Sequence, residues 1–471
     1  MAQAPARHRP PIVATRKDGE KITFQTLIRG NGHNNILGRG GEGVVYRGTT
    51  SMPGRAANVA VKAVRIPVDK ESGAYTSLIT RIANSITASY LLSIRGRCNP
   101  RIVCLYAVIV HPDIYPVIAI KPNPAQKAAY IYTSDAIDPN LCYMLYELVD
   151  GQDLEKILRL TPADEEINYV KYGTQLLEAV NLLHSPPPPA AVAAAATAAA
   201  AAAQADPADA TKAAAAAAAA QQVTHARKLL SLVHLDIKTA NAMIGTDDNL
   251  RIIDMGTACA VNERSCARAA MSFPYSGPEA HPLAERSKAR LVYSDVFATG
   301  ITLYEMIMRP RDEEGRPTHA IPLEEDSYPA YNAFWRAKAA EAAPAEAPAE
   351  AAAAGVVPGE LNLHYPPEKE FLKPLINVMI KRDFRERPTI AQSMTIWNEI
   401  FSRNPTPTVA EVQEIVNAIY VPEPPAPQAA AAAAAAGPAA AVDPAGCHAE
   451  GGRRTRKRRK NHKTRKSRKY R

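Results

Sequence analysis

The chain has 471 residues, a formal net charge of +9 and six cysteines, a length that allows two or more domains. Arg453 to Arg471 holds 13 Lys or Arg and no acid, which leaves −4 for everything before it, so the basicity is a property of the tail and not of the whole surface. A secretory leader is not expected, because Met1 to Lys17 is polar and Pro-rich. Membrane spans are not expected either, because the long Ala runs are weakly apolar and interrupted by Gln204, Asp206 and Lys212. Cys98, Cys104, Cys142, Cys259, Cys266 and Cys447 show no metal-ligand pair with two-residue spacing, which predicts free thiols in a reducing compartment.

In chain order, residues 1–20 read as a disordered N-terminus and 21–149 as a strand-rich unit. Leu37-Gly38-Arg39-Gly40-Gly41-Glu42-Gly43-Val44-Val45-Tyr46 carries three glycines, Gly38, Gly40 and Gly43, at spacings that let backbone close over phosphates without a side chain in the way. Glycine triplets more often mark turns, but this one is followed by Val59-Ala60-Val61-Lys62, a β-rich run that aims one amine at the α- and β-phosphates. Ile102 to Val110 and Cys142 to Val149 read as strands, and Tyr169 to Leu183 repeats apolar residues at helical spacing. Two Ala- and Pro-rich insertions, about 186–222 and 338–358, follow within the segment 150–402; alanine favours helix, and no chemistry is assigned to them. A Pro- and Ala-rich linker at 403–452 precedes the basic tail at 453–471.

The most informative stretch is His234-Leu235-Asp236-Ile237-Lys238-Thr239-Ala240-Asn241, followed by Asp254-Met255-Gly256. Two carboxylates, an amide and an amine at these spacings form the kit of a phosphoryl-transfer site. Asp236 faces the attacking hydroxyl, Asn241 and Asp254 hold magnesium, and Lys238 offsets charge on the moving phosphoryl group. A hairpin with merely solvated polar residues would explain any one of them, but not their joint spacing.

Together these motifs resemble the eukaryotic-type serine/threonine protein kinases, with matches in the family's order from about residue 21 to residue 402. The resemblance implies an α+β fold of two lobes, a small antiparallel sheet followed by a mainly helical lobe. It implies ATP and Mg²⁺ as cofactors, a protein serine or threonine as acceptor, and a monomer. Val45 and the hinge-like Tyr146-Glu147-Leu148-Val149 would contact the nucleotide, with Tyr146 as gatekeeper, Glu147 and Val149 receiving adenine through their backbone, and Asp153 bonding the ribose. Ser276-Gly277-Pro278-Glu279 stands for Ala-Pro-Glu and Arg387 for its distant arginine partner. Ser294 to Gly300 resembles the start of the central helix, with Phe297 for Trp. Lys238 and Ser272 agree with the serine/threonine class.

Two departures qualify the resemblance. Between Glu71 and Asp113 there is no acidic residue, so the usual glutamate partner of Lys62 is missing; Thr80, Arg81 or Tyr90 takes its place, and Lys62 is expected to lean on Asp254. A nucleotide-binding scaffold without efficient catalysis is the alternative. Leu235 replaces the arginine that reads a phosphorylated activation loop, so control by phosphate on Ser265 is not expected. The tail reads as a nuclear import signal, an arm for nucleic acid or another polyanion, or a solvated end, with a nuclear or cytoplasmic site expected. The insertions and tail are reminiscent in style of divergent kinases of large DNA viruses.

Overall fold

The computed structural model describes residues 7–420, apart from 9, 29–34, 41–42, 93–98, 120–129, 163–164, 187, 189, 262–271, 281–287, 313–314, 316, 322, 324–327, 342–360 and 362. The chain divides into Met1–Glu423 and Pro424–Arg471. The second unit, with its basic tail, lies outside the described residues, as do Ser265 and most of the second Ala-rich insertion.

Alternation of apolar residues builds the N-terminal sheet. Its nine strands are β1 (Arg7–His8), β2 (Ile12–Arg16), β3 (Lys21–Ile28), β4 (Ile36–Gly40), β5 (Gly43–Thr50), β6 (Asn58–Arg65), β7 (Leu105–Val110), β8 (Ile131–Thr133) and β9 (Leu141–Glu147). β3 pairs with β2 on one side and β5 on the other. The pairings β3–β2–β8–β7–β9–β6–β5–β3 therefore return to their start and close the sheet on itself. Ala14, Ile22, Phe24, Val59, Val61, Ala107, Ile109 and Leu145 fill the interior. The alternate positions Val64, Val108, Val110, Cys142 and Met144 turn outward against α1 (Gly73–Leu92) and α2 (Tyr115–Ala119).

Two expectations need correction. Residues 1–20 are not wholly without structure, because β2 lies within them and Ala14 is fully buried; four residues of Ile12-Val13-Ala14-Thr15 pair with β3. A five-residue strand between a basic Pro-rich start and a turn is too short a signal to separate from coil. The sheet is also not purely antiparallel, since β7 and β8 run parallel, their connection being long enough to cross over.

The C-terminal part is helical. It comprises α3 (Leu154–Leu160), α4 (Tyr169–His184), α5 (Ala190–Ala205), α6 (Ala210–Leu230), α7 (Lys288–Met308), α8 (Tyr328–Glu341), α9 (Lys373–Met379), α10 (Ile390–Ser402) and α11 (Val409–Ile419). Short strands β10 (Gly151–Asp153), β11 (Leu232–Val233), β12 (Ala242–Gly245), β13 (Leu250–Ile252) and β14 (Cys259–Ala260) carry the polar motifs. The core is centred on α4 and α7, where Leu176, Leu177, Val180, Phe297 and Ile301 are buried, together with Trp397 of α10. Trp397 leaves no room for a side chain at Gly173, where a Cβ would lie 2.4 Å from its ring. The fold class is α+β.

The first Ala-rich insertion forms the hairpin α5–α6, which extends to Leu230, past the expected end at 222. Asp209 caps α6 by accepting from the Thr211 and Lys212 backbone N–H groups. Among the described residues no helix is long and apolar enough to cross a membrane. Cys104 and Cys259 are each disulfide-bonded, against the expectation of free thiols, while Cys142 is free and buried. Pairing depends on Cα separations of about 4.4–6.8 Å, which spacing along the chain does not reveal.

Closure of the sheet by β2 yields a test. Deleting residues 1–17 strips β3 and β8 of their partner, and the melting temperature should fall by about 5 °C or more in differential scanning fluorimetry. An unchanged melting temperature would show that β2 contributes no stability.

Candidate active site

The loop that carries Asp236, Lys238 and Asn241 hangs from a buried carboxylate. Asp295, in α7 and fully buried, accepts the backbone N–H groups of His234 at 2.7 Å and Leu235 at 2.8 Å, and meets His184 Nε2 at 2.9 Å. Leu235 has φ +64°, a left-handed conformation that a bulky residue takes only when its surroundings impose it. The Asp295 bond and the packing of Leu235 against Val233, Cys259, Leu291 and Val292 do so. His234 faces the Ile253 carbonyl through Nε2 at 3.2 Å and accepts the Asp236 N–H through Nδ1 at 3.3 Å. The roles of His184, His234 and Asp295 in holding the loop were not assigned from the sequence.

From that support the polar side chains converge. Asp236 Oδ1 accepts from Ser272 Oγ at 2.7 Å, and Oδ2 accepts from Asn241 Nδ2 at 2.8 Å and lies 3.0 Å from Lys238 Nζ. Lys238 Nζ also donates to Ser272 Oγ at 2.5 Å. Asn241 sits in the turn Thr239–Asn241, and its amide donates to the Asp236 carbonyl as well, which leaves Oδ1 as a donor oxygen. Asp254 has φ +60° and accepts the Gly256 N–H through Oδ1 at 3.3 Å. Met255 is buried against Ala88, Ile102 and Leu232.

Lys62 reaches this cluster across 192 residues of sequence, donating to Asp254 Oδ2 at 3.1 Å. Strand register puts it there. Lys62 pairs with Val45 on one side and Met144 on the other, and it faces outward from the closed sheet. Burial works against both charges, yet their mutual attraction prevails: the Lys62 ammonium is raised and the Asp254 carboxylate lowered from their ordinary values of 10.5 and 3.8. Where a glutamate partner would come from α1, Arg81 and Ser85 stand instead. A Cβ on Gly256 would lie 3.8 Å from each of them, and Ser85 hydrogen-bonds the buried Tyr146 phenol, whose pKa burial pushes up. Arg81 was among the expected replacements; Ser85 was not, because no acid remained to mark the helix face.

The other predicted residues divide. Gly38 and Gly40 lie in β4 with open space above them, whereas Gly43 is required by the sheet itself, since a Cβ there would sit 2.1 Å from the Ala63 carbonyl. The Glu147 N–H is spent on the Cys104 carbonyl at 2.9 Å. Val149 follows it out of the strand. Asp153 caps α3, accepting the Lys156 N–H through Oδ1 at 2.7 Å.

Arg387 and Glu279 pair through two bonds of 2.6 and 2.9 Å, with the guanidinium fully buried over the Phe297 ring. Ser294 Oγ donates to the same carboxylate at 3.1 Å. This fork joins the segment after Ser272 to the C-terminal core. Behind Thr239 lies a polar group missed in the sequence. The Tyr275 hydroxyl meets Thr239 Oγ1 at 2.8 Å and donates to Glu305 at 2.5 Å, and Glu305 also receives the Ala320 N–H at 3.0 Å and lies 3.1 Å from His319 Nδ1.

Comparison with known proteins finds a similarity to protein kinases. Residues 196–397 match the family model described as Protein kinase domain. The match starts inside α5 and omits Lys62 and the glycine-rich hairpin. A probable serine/threonine-protein kinase PknB of Corynebacterium glutamicum is 31% identical over 106 residues, 21% of this chain and 16% of that protein. The chain thus spans about one-sixth of the length of that curated relative. The matched stretch, less than half of the chain, is similar to protein kinases.

The Lys62–Asp254 pair predicts a pH signature. The lowered Asp254 pKa contributes stability that is present above about pH 3.8 and lost as pH falls through its folded value; the raised Lys62 pKa contributes stability lost only as pH rises past 10.5. Lys62→Met removes the main influence that lowers the Asp254 pKa and leaves burial opposed by the Gly256 N–H and His234, so its carboxyl should titrate higher than in the unmutated protein. Carboxyl-detected NMR with Asp254→Asn for assignment measures this; an unshifted titration in the variant would contradict the pairing.

Proposed function

We propose that the chain is a Mg-ATP-dependent protein kinase that phosphorylates serine or threonine. In this reading the closed sheet with α1 is the small lobe of a bilobal kinase, and the helices are the large lobe, interrupted by the Ala-rich insertions. One observation carries it: Asp236, Lys238 and Asn241 are bonded together in one loop, Lys62 pairs with Asp254 in the next turn, and the two turns are joined by the Ile253 N–H on the Asn241 carbonyl at 2.9 Å.

The donor set suits magnesium. Asn241 and Asp254 offer hard oxygens, and among the described residues no group of three His, Cys, Asp or Glu could hold a metal, so an ion here would complete its shell with water and phosphate oxygens. Magnesium held by Asn241 and Asp254 would supply positive charge against the phosphates.

The chain's own groups do the rest. Asp236, oriented by Asn241, accepts the proton of the acceptor hydroxyl, whose place Ser272 Oγ now approaches. Lys238 sits 3.0 Å from that carboxylate, close enough to stabilise charge as the hydroxyl attacks. Lys62 draws the α- and β-phosphates toward Asp254, and the β4–β5 hairpin covers them. Glu147 and Val149 receive adenine through the backbone, with Val45 packing beside it. Asp153 Oδ1 caps α3, which leaves Oδ2 to bond the ribose in this reading.

The second reading, a nucleotide-binding scaffold, is favoured by α1, which has no acid anywhere along it. Radiolabelled ATP distinguishes the two. Removing a metal ligand damages a step made of positioning and charge more than it damages adenine docking. Asp236→Ala and Asp254→Asn should therefore retain measurable nucleotide binding while incorporation into protein serine or threonine drops to background. Unmutated protein that binds ATP but labels no substrate under magnesium or manganese establishes the scaffold.

Leu235 yields a separate expectation. The place of a phosphate-reading arginine is taken by Leu235, which packs in an apolar cluster with Val233 and Cys259. Enzyme treated with phosphatase should keep most of its rate, and a loss of tenfold or more would show that another group reads phosphate.

A further inference from the structure

We infer that the hydroxyl pair of Ser85 and Tyr146 positions Lys62 for phosphate binding, in the place of a carboxylate carried by α1. The inference rests on the phosphotransfer reading and adds two positioning residues to its nucleotide site. Strand register supplies the first half. Lys62 pairs with Met144, and Ala60 with Tyr146, across the same two strands. Tyr146 is therefore a diagonal neighbour of Lys62 on the outward face of the sheet, a separation of about 7–8 Å that an aromatic and a long side chain can close. The ammonium and the phenol are near enough to act on one another electrostatically. The Tyr146 ring packs against the cluster that joins this face to α1 through Ile82, Ile86 and Met144, and its hydroxyl lies 3.6 Å from Met144 Sδ, a weak acceptor.

The second half comes from α1. Ser85 is 2% exposed, and a hydroxyl so buried needs a partner. It hydrogen-bonds the Tyr146 phenol, and its Oγ comes within 3.8 Å of a Cβ built on Gly256, two residues beyond Asp254. A phenol oxygen has two lone pairs: Ser85 donates to one, and the second can accept from Lys62 Nζ. Burial keeps the phenol neutral by raising its pKa, so it offers Lys62 an oriented dipole and not a second negative charge. Arg81, the other α1 side chain beside Gly256, is a cation without an acceptor and cannot serve Lys62 in this way. In the phosphotransfer reading Asp254 is shared between Lys62 and a metal, whereas the phenol has no second task. Ser85 and Tyr146 thus connect the position of α1 to the direction of the ammonium with no acid on the helix.

The test compares Mg-ATP with adenosine on the full chain by isothermal titration calorimetry, because Lys62 acts on phosphates and adenosine has none. The preference for ATP over adenosine should fall about tenfold in Tyr146→Phe, which keeps the ring and removes one hydrogen-bonding oxygen beside a charge. It should fall by a smaller factor in Ser85→Ala and be retained in Ser85→Thr, which restores the hydroxyl. The double variant should be no worse than Tyr146→Phe alone, since the two groups act in one chain. A preference unchanged in both single variants overturns the inference. So does a parallel weakening of both ligands, which a merely structural role predicts, and so do losses that multiply in the double variant, which mark independent contacts. Selective loss of ATP affinity in the variants, with no transfer by the unmutated protein to serine or threonine of any substrate, supports the positioning role and overturns the phosphotransfer reading. Failure of the unmutated protein to bind ATP overturns both.

Discussion

Everything at the loop from His234 to Asn241 depends on the Asp295 carboxylate. It is fully buried at the start of the central helix and receives two successive backbone N–H groups, those of His234 and Leu235, with His184 against it. Those bonds hold Leu235 in a left-handed conformation that its side chain resists. The turn they create presents Asp236, Lys238 and Asn241 on one side while burying Leu235 on the other. A buried charge left without these donors would be costly, so the helix and the loop are bound to form together.

An ion pair links the N-terminal part to this centre, beside the packing of Ala88 and Ile102 on Met255. Lys62 and Asp254 are the contact between an outward-facing strand position and a strained turn, and each charge is retained against burial because the other is there. A glutamate on α1 would share the task in the usual arrangement. Here α1 packs through Tyr75, Ile79, Ile82 and Ile86 and sends only Arg81 and Ser85 toward Gly256. Asp254 therefore carries both the partnership with Lys62 and the proposed metal ligation, which couples helix position less tightly to lysine position than a helix-borne partner would.

Closure of the sheet accounts for that tolerance. In an open five- or six-stranded layer the helix is a main restraint on strand β6. With β2 sealing β3 to β8, the register of β6 between β5 and β9 is fixed by the barrel and its interior of Ile22, Phe24, Val59, Val61 and Leu145. The Ala-rich hairpin is a contrasting addition. Its residues are largely exposed, and its helices follow from alanine's propensity more than from burial.

How much of this was legible in the sequence follows from how local each signal is. The polar motifs, the glycine hairpin, the α4 repeat and the strands β6, β7 and β9 are set by spacing within a few residues, and periodicity or motif order shows them directly. The absence of an acid between Glu71 and Asp113 was equally plain. Other features depend on segments far apart in the chain, and these only the tertiary structure decided. The pairing of β2 with β8 spans more than a hundred residues, and Ser85 reaches Tyr146 by the rotation of a helix on a sheet. The Tyr275, Glu305 and His319 group assembles from three separate elements, and Asp153 is turned into a helix cap by the strand before it. Sequence determines which groups a local segment can offer, because side-chain direction repeats every two or 3.6 residues. Which of those groups meet is decided by packing, because only a close-packed core fixes distance between segments that share no local signal.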